Sequence, residues 1–130
     1  MALVPFDDRD GWIWLDGHFT PWRDAKLHVL SHALHYGSGV FEGERMYDGN
    51  IFALDAHTRR FFRSAELLDF AIPGEIDQIN RACIEACAKN GLSDCYIRPV
   101  AWRGAEQLSV SALNSKTRVA IAVWEWPKYF

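Results

Sequence analysis

The chain has 130 residues, 49% hydrophobic and 24% charged, enough to bury the core of one domain and too apolar for disorder. Its 14 basic and 17 acidic residues leave a formal charge of -3 with no lysine or arginine run. Nucleic acid and anionic membrane are therefore not the expected partners, and a small soluble ligand is. The N-terminus has no basic flank before an apolar run, and no window approaches the ~20 apolar residues of a membrane span, which predicts a cytoplasmic protein. Cys83, Cys87 and Cys95 are odd in number, and a bridge between Cys83 and Cys87, one helical turn apart, would be strained; all three read as reduced, small apolar residues.

Trp12 to Leu15 alternates, Asp16-Gly17 is a two-residue hairpin signal, and Phe19 to Trp22 is the return strand, its pairing ended by Pro21. From Asp24 to Tyr36, Leu27, Leu30 and Leu34 recur at about helical spacing and Gly37 offers a stop, which predicts a short helix or turn. Ser38 to Tyr47 alternates again. Phe41, Gly43, Arg45 and Tyr47 point one way, and Val40, Glu42, Glu44 and Met46 the other, with Val40, Phe41 and Met46 expected in the core. Gly43 in mid-strand marks a bulge or a place where something approaches the backbone. Asp48-Gly49-Asn50 turns the chain and Ile51 to Leu54 returns, completing a second antiparallel hairpin.

Asp55 is expected to cap a helix running to about Phe70 and burying Phe61, Ala65 and Leu68, with Pro73-Gly74 ending it. A second helix over Glu75 to Asn90 buries Ile76, Ile79, Cys83 and Cys87, and Gly91 sits where a left-handed cap belongs. Asp94 to Arg103 is a strand with Tyr96, Arg98 and Val100 on one face and Ile97, Pro99 and Ala101 on the other; Pro99 argues against full pairing in a central strand. Gly104 to Lys116 reads as a long polar loop, and Thr117 to Trp126 as the most strongly β segment. Two amphipathic helices set among strands predict an α+β fold, a mainly antiparallel sheet with the two helices packed on it. The ending WEWPKYF would suit a connector packed under a following domain, so the chain is expected to continue.

Three clusters carry chemistry. His28, His32 and His35 share roughly one helix face, but no acid or cysteine completes a zinc set, so no metal is expected. His57 and Arg60, flanked by Arg59 and Arg63, form either a solvated basic face, which composition alone favours, or a guanidinium grip for a phosphate. Tyr96 and Arg98 supply a hydroxyl and a fork of donors able to orient a carboxylate; a surface arginine stacked on a tyrosine is the equal alternative.

Taken together, SHALHYGSGVFEG-x-R from Ser31 to Arg45, H-x-x-R from His57 to Arg60 and YIRP from Tyr96 to Pro99 resemble the branched-chain amino-acid aminotransferases of the fold-type IV pyridoxal-phosphate class. The similarity runs from about Trp12 to the last residue. It implies that residues 1–130 form the smaller N-terminal domain of a two-domain enzyme working with pyridoxal 5'-phosphate. That enzyme would move an amino group between a branched-chain L-amino acid and 2-oxoglutarate.

The resemblance assigns Arg60 to the cofactor phosphate, Tyr96 to the substrate α-carboxylate and Arg98 to the distal carboxylate of glutamate. Phe41, Gly43 and Arg45 match the wall that takes the side chain, while Tyr36 and the loop from Leu108 to Val110 match segments lent by the neighbouring subunit of a homodimer. Tyr129 matches a further pocket tyrosine. The lysine that carries the cofactor, and the acid that holds its pyridine nitrogen, belong in that family to a second domain, so no catalytic residue is expected in this chain. Gln107-Leu108-Ser109-Val110 departs from the glycine-rich run of the family. The same scaffold serves D-amino-acid aminotransferases and aminodeoxychorismate lyases, from which YIRP argues away, and a non-catalytic binding or dimerisation module is the remaining alternative.

Overall fold

The computed structural model describes residues 4–126. Strands β1 (Trp12–Leu15) and β2 (His18–Pro21) open the chain, followed by a turn of 3-10 helix at Trp22–Asp24 and helix α1 (His32–Tyr36). Then come β3 (Gly39–Phe41), β4 (Glu44–Tyr47), β5 (Asn50–Ile51), the long helices α2 (Leu54–Leu67) and α3 (Ile76–Lys89), and strands β6 (Cys95–Arg103) and β7 (Thr117–Trp124). Among the described residues the strands make one antiparallel sheet in the order β2-β1-β7-β6-β4-β5, with β3 also paired to β6. The α+β class read from the sequence is the one observed.

Two Asp-Gly turns shape the hairpins. Asp16 and Gly17, and again Asp48 and Gly49, all have positive φ, the pairing that matches the right-handed twist of the flanking strands. Helices α2 and α3 cover one face of the sheet. Phe61, Ala65, Ile79, Cys83 and Cys87 from the helices meet Met46, Cys95, Ile97, Ile121 and Val123 from the strands. Phe61, Ile97 and Ile121 are completely buried, each worth about 1.5–3 kcal/mol in water-excluded area. The three cysteines lie in this core without disulfides, Cys87 Sγ 3.6 Å from Cys95 Sγ. Among the described residues no helix is long and apolar enough to cross a membrane.

Several expectations are corrected. Phe41 is not core: its place in the alternation puts it on the face away from α2 and α3, where it is 58% exposed. Only His32–Tyr36 of the segment after Asp24 is α-helical, because His28 takes the Leu30 N–H on its own ring nitrogen and Ser31 turns back onto the His28 carbonyl. Leu27, Leu30 and Leu34 are accordingly exposed.

The return strand after Asn50 stops at Ile51, since Ala53 turns left-handed (φ 53) and is the N-cap of α2; Asp55 sits in the first turn and accepts from Arg59 and Asn80 instead. That helix ends at Leu67, leaving Leu68 half exposed instead of buried, and Ile76 is only partly buried. The long loop from Gly104 to Lys116 stands as read, and β7 stops at Trp124 instead of Trp126.

Pro99 does lie in a central strand, with β7 along one side of β6 and β3 and β4 along the other. An extended residue points its N and its C=O to the same side, and the Pro99 carbonyl accepts from the Glu42 N–H at 3.0 Å. The missing proline N–H therefore falls where β3 breaks off and β4 begins. The strand is split at Glu42 and Gly43 opposite a residue that cannot donate.

Candidate functional site

The register Arg45↔Tyr96 and Phe41↔Val100 carries five of the expected residues to one patch on the sheet face turned away from the helices. Arg98 donates from Nε (3.2 Å) and Nη2 (2.8 Å) to the Tyr96 hydroxyl oxygen, and its guanidinium lies 4.2 Å from the Phe41 ring centre. Those two bonds occupy the phenol oxygen and leave its hydrogen for an acceptor outside. Trp126 stacks on Tyr96 at 4.8 Å and Trp124 tilts against it at 4.8 Å. Arg45 lies over Trp126 and Tyr47, and its Nη1 is buried without a hydrogen-bond partner, a donor that a carboxylate would satisfy. A Cβ at Gly43 would overlap the Tyr96 hydroxyl, so that glycine marks a close approach, as its mid-strand position indicated, without a bulge.

Arg60 stands on the other layer, on α2, and reaches the strand break through Glu42. Glu42 is buried (3% exposed), and its two oxygens accept from Arg60 Nε at 2.8 Å and Nη2 at 2.7 Å, while His57 Nδ1 lies 2.8 Å from the same carboxylate. Because a carboxylate only accepts, His57 Nδ1 carries the hydrogen here. Burial pushes the Glu42 carboxyl up, but the hydrogen bonds from Arg60 and His57 outweigh it and hold it below the ordinary value. The Arg60 side chain is 65% exposed, and its Nη1 makes no hydrogen bond among the described residues. The basic helix face thus divides: Arg59 and Arg63 each make one contact with an exposed acid, Asp55 and Glu66, whereas Arg60 is fixed at two nitrogens by a buried carboxylate and keeps its Nη1 edge free.

Two residues along, Glu44 is 1% exposed, with neither oxygen hydrogen-bonded. Burial, then the Glu42 charge, raises its pKa to about 8, with the Cys83 thiol a minor opposing influence. It is a carboxylic acid held in the core.

Tyr36 packs against His32, and Leu108 and Val110 flank Ser109, which His32 holds by its carbonyl. That imidazole is buried, donates Nε2–H to the Ser109 carbonyl at 3.0 Å, meets Ser38 Oγ at 2.6 Å and packs 4.5 Å from the Tyr36 ring. Arg103, also buried, clamps the same loop by donating to Ser111 O (3.0 Å) and reaches Asp69 O (2.6 Å). Tyr36, Leu108 and Val110 are exposed. Tyr129 lies outside the described residues.

The three histidines noted in the sequence serve separate hydrogen bonds, His28 to Leu30 N–H and His35 to the Val29 carbonyl, and no metal-holding group is found among the described residues. Sequence reasoning gave no individual role to Glu42 or Trp126, and placed His57 on the basic helix face without assigning it a partner. Glu42 was signalled by its alternation onto the helix side, where a carboxylate needs a cation. As for a reactive amine, Lys89 lies over Trp12, Lys26 lines an apolar groove with Leu15 and Trp102, and Lys116 lines a separate cavity beside Asp16. Among the described residues, none of the three pairs with the residues at the two grips.

Comparison with known proteins follows the same pattern. The family model described as amino-transferase class IV matches residues 39–130. The branched-chain-amino-acid aminotransferase of Pseudomonas aeruginosa is 48% identical over 126 residues, covering 94% of this chain and 41% of that protein. A crystal structure of the Escherichia coli branched-chain amino acid aminotransferase superposes with TM-score 0.88 at 38% identity, over 93% of this chain and 41% of that chain. The branched-chain aminotransferase of the archaeon Thermoproteus uzoniensis, solved with norvaline, does so with TM-score 0.87 at 36% identity, over 94% and 43%. The chain spans about two fifths of the length of these relatives. It belongs to the class IV aminotransferase family.

Proposed function

We propose that this chain is the N-terminal domain of a pyridoxal-phosphate-dependent branched-chain-amino-acid aminotransferase, a cytoplasmic homodimer that exchanges an amino group between a branched-chain L-amino acid and 2-oxoglutarate. The observation that carries the substrate side is the Tyr96-Arg98-Phe41 arrangement. A cation with donors to spare rests against an apolar ring, so one pocket can take either a carboxylate or a branched hydrocarbon chain. The relatives of that name, matching almost the whole chain, favour the same reading.

Each residue then has a task. Arg60, held along one edge by Glu42, offers its free edge to the cofactor phosphate. When bound, pyridoxal phosphate supplies the electron sink that allows the substrate α-proton to be removed. Tyr96, its oxygen saturated by Arg98, points its remaining hydrogen to the α-carboxylate, and Arg45 adds its unpartnered Nη1. Gly43 keeps the backbone low beneath them. Tyr36 and Leu108 to Val110 serve the neighbouring subunit's pocket. The lysine and the pyridine-nitrogen acid come from a second domain.

Transamination assays of the full-length protein with 2-oxoglutarate test this: L-leucine is the expected donor, and a preference for D-alanine would defeat it. Arg98→Ala should impair glutamate and 2-oxoglutarate far more than leucine; equal losses would remove Arg98 from the distal carboxylate.

A further inference from the structure

Glu42 is an expensive residue where it stands. Its carboxylate is 3% exposed on the helix side of the sheet, while its partner Arg60 keeps 65% of its side chain in solvent. A pair so divided gains little attraction for the desolvation of the acid, so stability alone is a poor reason for it. What the pair does achieve is direction. Both Glu42 oxygens are engaged by Nε and Nη2, fixing the plane of the guanidinium and turning the opposite edge outward. The carboxylate is itself fixed: His57, three residues before Arg60 on the same helix face, donates to Oε1, and the Glu42 N–H is tied to the Pro99 carbonyl.

We infer that Glu42, steadied by His57 and Pro99, is a positioning residue that orients Arg60 for a phosphate and links that grip to the strand carrying Tyr96 and Arg98. The inference rests on reading Arg60 as the phosphate anchor. It assigns no chemistry to Glu42, which acts through the arginine by removing the freedom a long side chain would otherwise lose on binding. The link to Pro99 means that the turn of backbone holding the anchor's counter-ion is the same one that separates Phe41 from Gly43.

The test is a titration of the full-length protein with pyridoxal 5'-phosphate and with pyridoxal, which lacks the phosphate, followed by fluorescence. Glu42→Gln should weaken the phosphorylated ligand about tenfold while leaving pyridoxal unchanged, and should add nothing in an Arg60→Ala background. His57→Gln should give a smaller loss with the same selectivity. If Glu42→Gln weakens both ligands alike, or its effect adds in full to that of Arg60→Ala, Glu42 is structural and the inference fails while the phosphate anchor stands. If Arg60→Ala leaves the ratio of the two ligands untouched, the anchor itself is misassigned and both readings fall. Should the glutamine variant not fold, Glu42→Asp, which keeps the charge but withdraws it by one methylene, is expected to lose the same selectivity, and unchanged selectivity there overturns the role.

Discussion

Tyr96 occupies the space that any side chain at position 43 would need: a Cβ built on Gly43 would overlap the phenol oxygen, with Cζ 3.1 Å away. Gly43→Ala must therefore push the hydroxyl off Arg98, breaking the 2.8 Å and 3.2 Å bonds between them. Overfilling of this kind costs about 1–3 kcal/mol. The expected outcome is a modest fall in melting temperature with a raised KM for the amino acid, read in the same preparation. A variant with wild-type KM would show that Tyr96 can move without consequence.

Arg60→Ala is expected to weaken pyridoxal 5'-phosphate by about ten- to a hundredfold, the range of a charge-assisted phosphate contact. Arg59→Ala is the control, because Arg59 neighbours Arg60 on α2 but pairs with the exposed Asp55 and is not held by Glu42. Equal effects of the two substitutions would mean that the helix face acts as a diffuse positive field.

Glu44 makes stability depend on pH. Its folded pKa of about 8 lies above the ordinary 4.5, so between those values the native state holds a proton that the unfolded chain has released. Stability contributed by the protonated acid is complete below about 4.5 and is lost as pH rises through about 8. By pH 7 the loss is on the order of 3 kcal/mol. Denaturant melts of wild type and Glu44→Leu across this range should show a falling midpoint for the former and a flatter, higher one for the latter. Parallel curves would place a hidden partner on the Glu44 carboxylate.

His32→Ala removes the bond to the Ser109 carbonyl and the contacts with Ser38 and Tyr36, at a cost on the order of 2 kcal/mol. The loss should be local: faster hydrogen exchange and proteolysis between Gln107 and Leu113, with α2 and α3 unaffected. Uniformly faster exchange would make His32 part of the global core.

The amino-acid order by itself determined the two Asp-Gly hairpins, both amphipathic helices, the loop from Gly104 to Lys116 and which side chains share a face within each strand, Phe41 with Gly43 and Arg45, and Tyr96 with Arg98. Turn chemistry and the periods of two and 3.6 residues act over a few neighbours and need no knowledge of the rest of the fold. Only the tertiary structure decided that Arg60 would meet Glu42, 18 residues away, that Glu44 would be sealed uncharged beneath Cys83, and that His32 would hold a loop 77 residues on. It also moved Phe41 out of the core and Pro99 into a central strand, because side-chain exposure and pairing depend on which strands and helices close over a residue. Such partnerships are set by the packing of distant segments, and no local pattern encodes them.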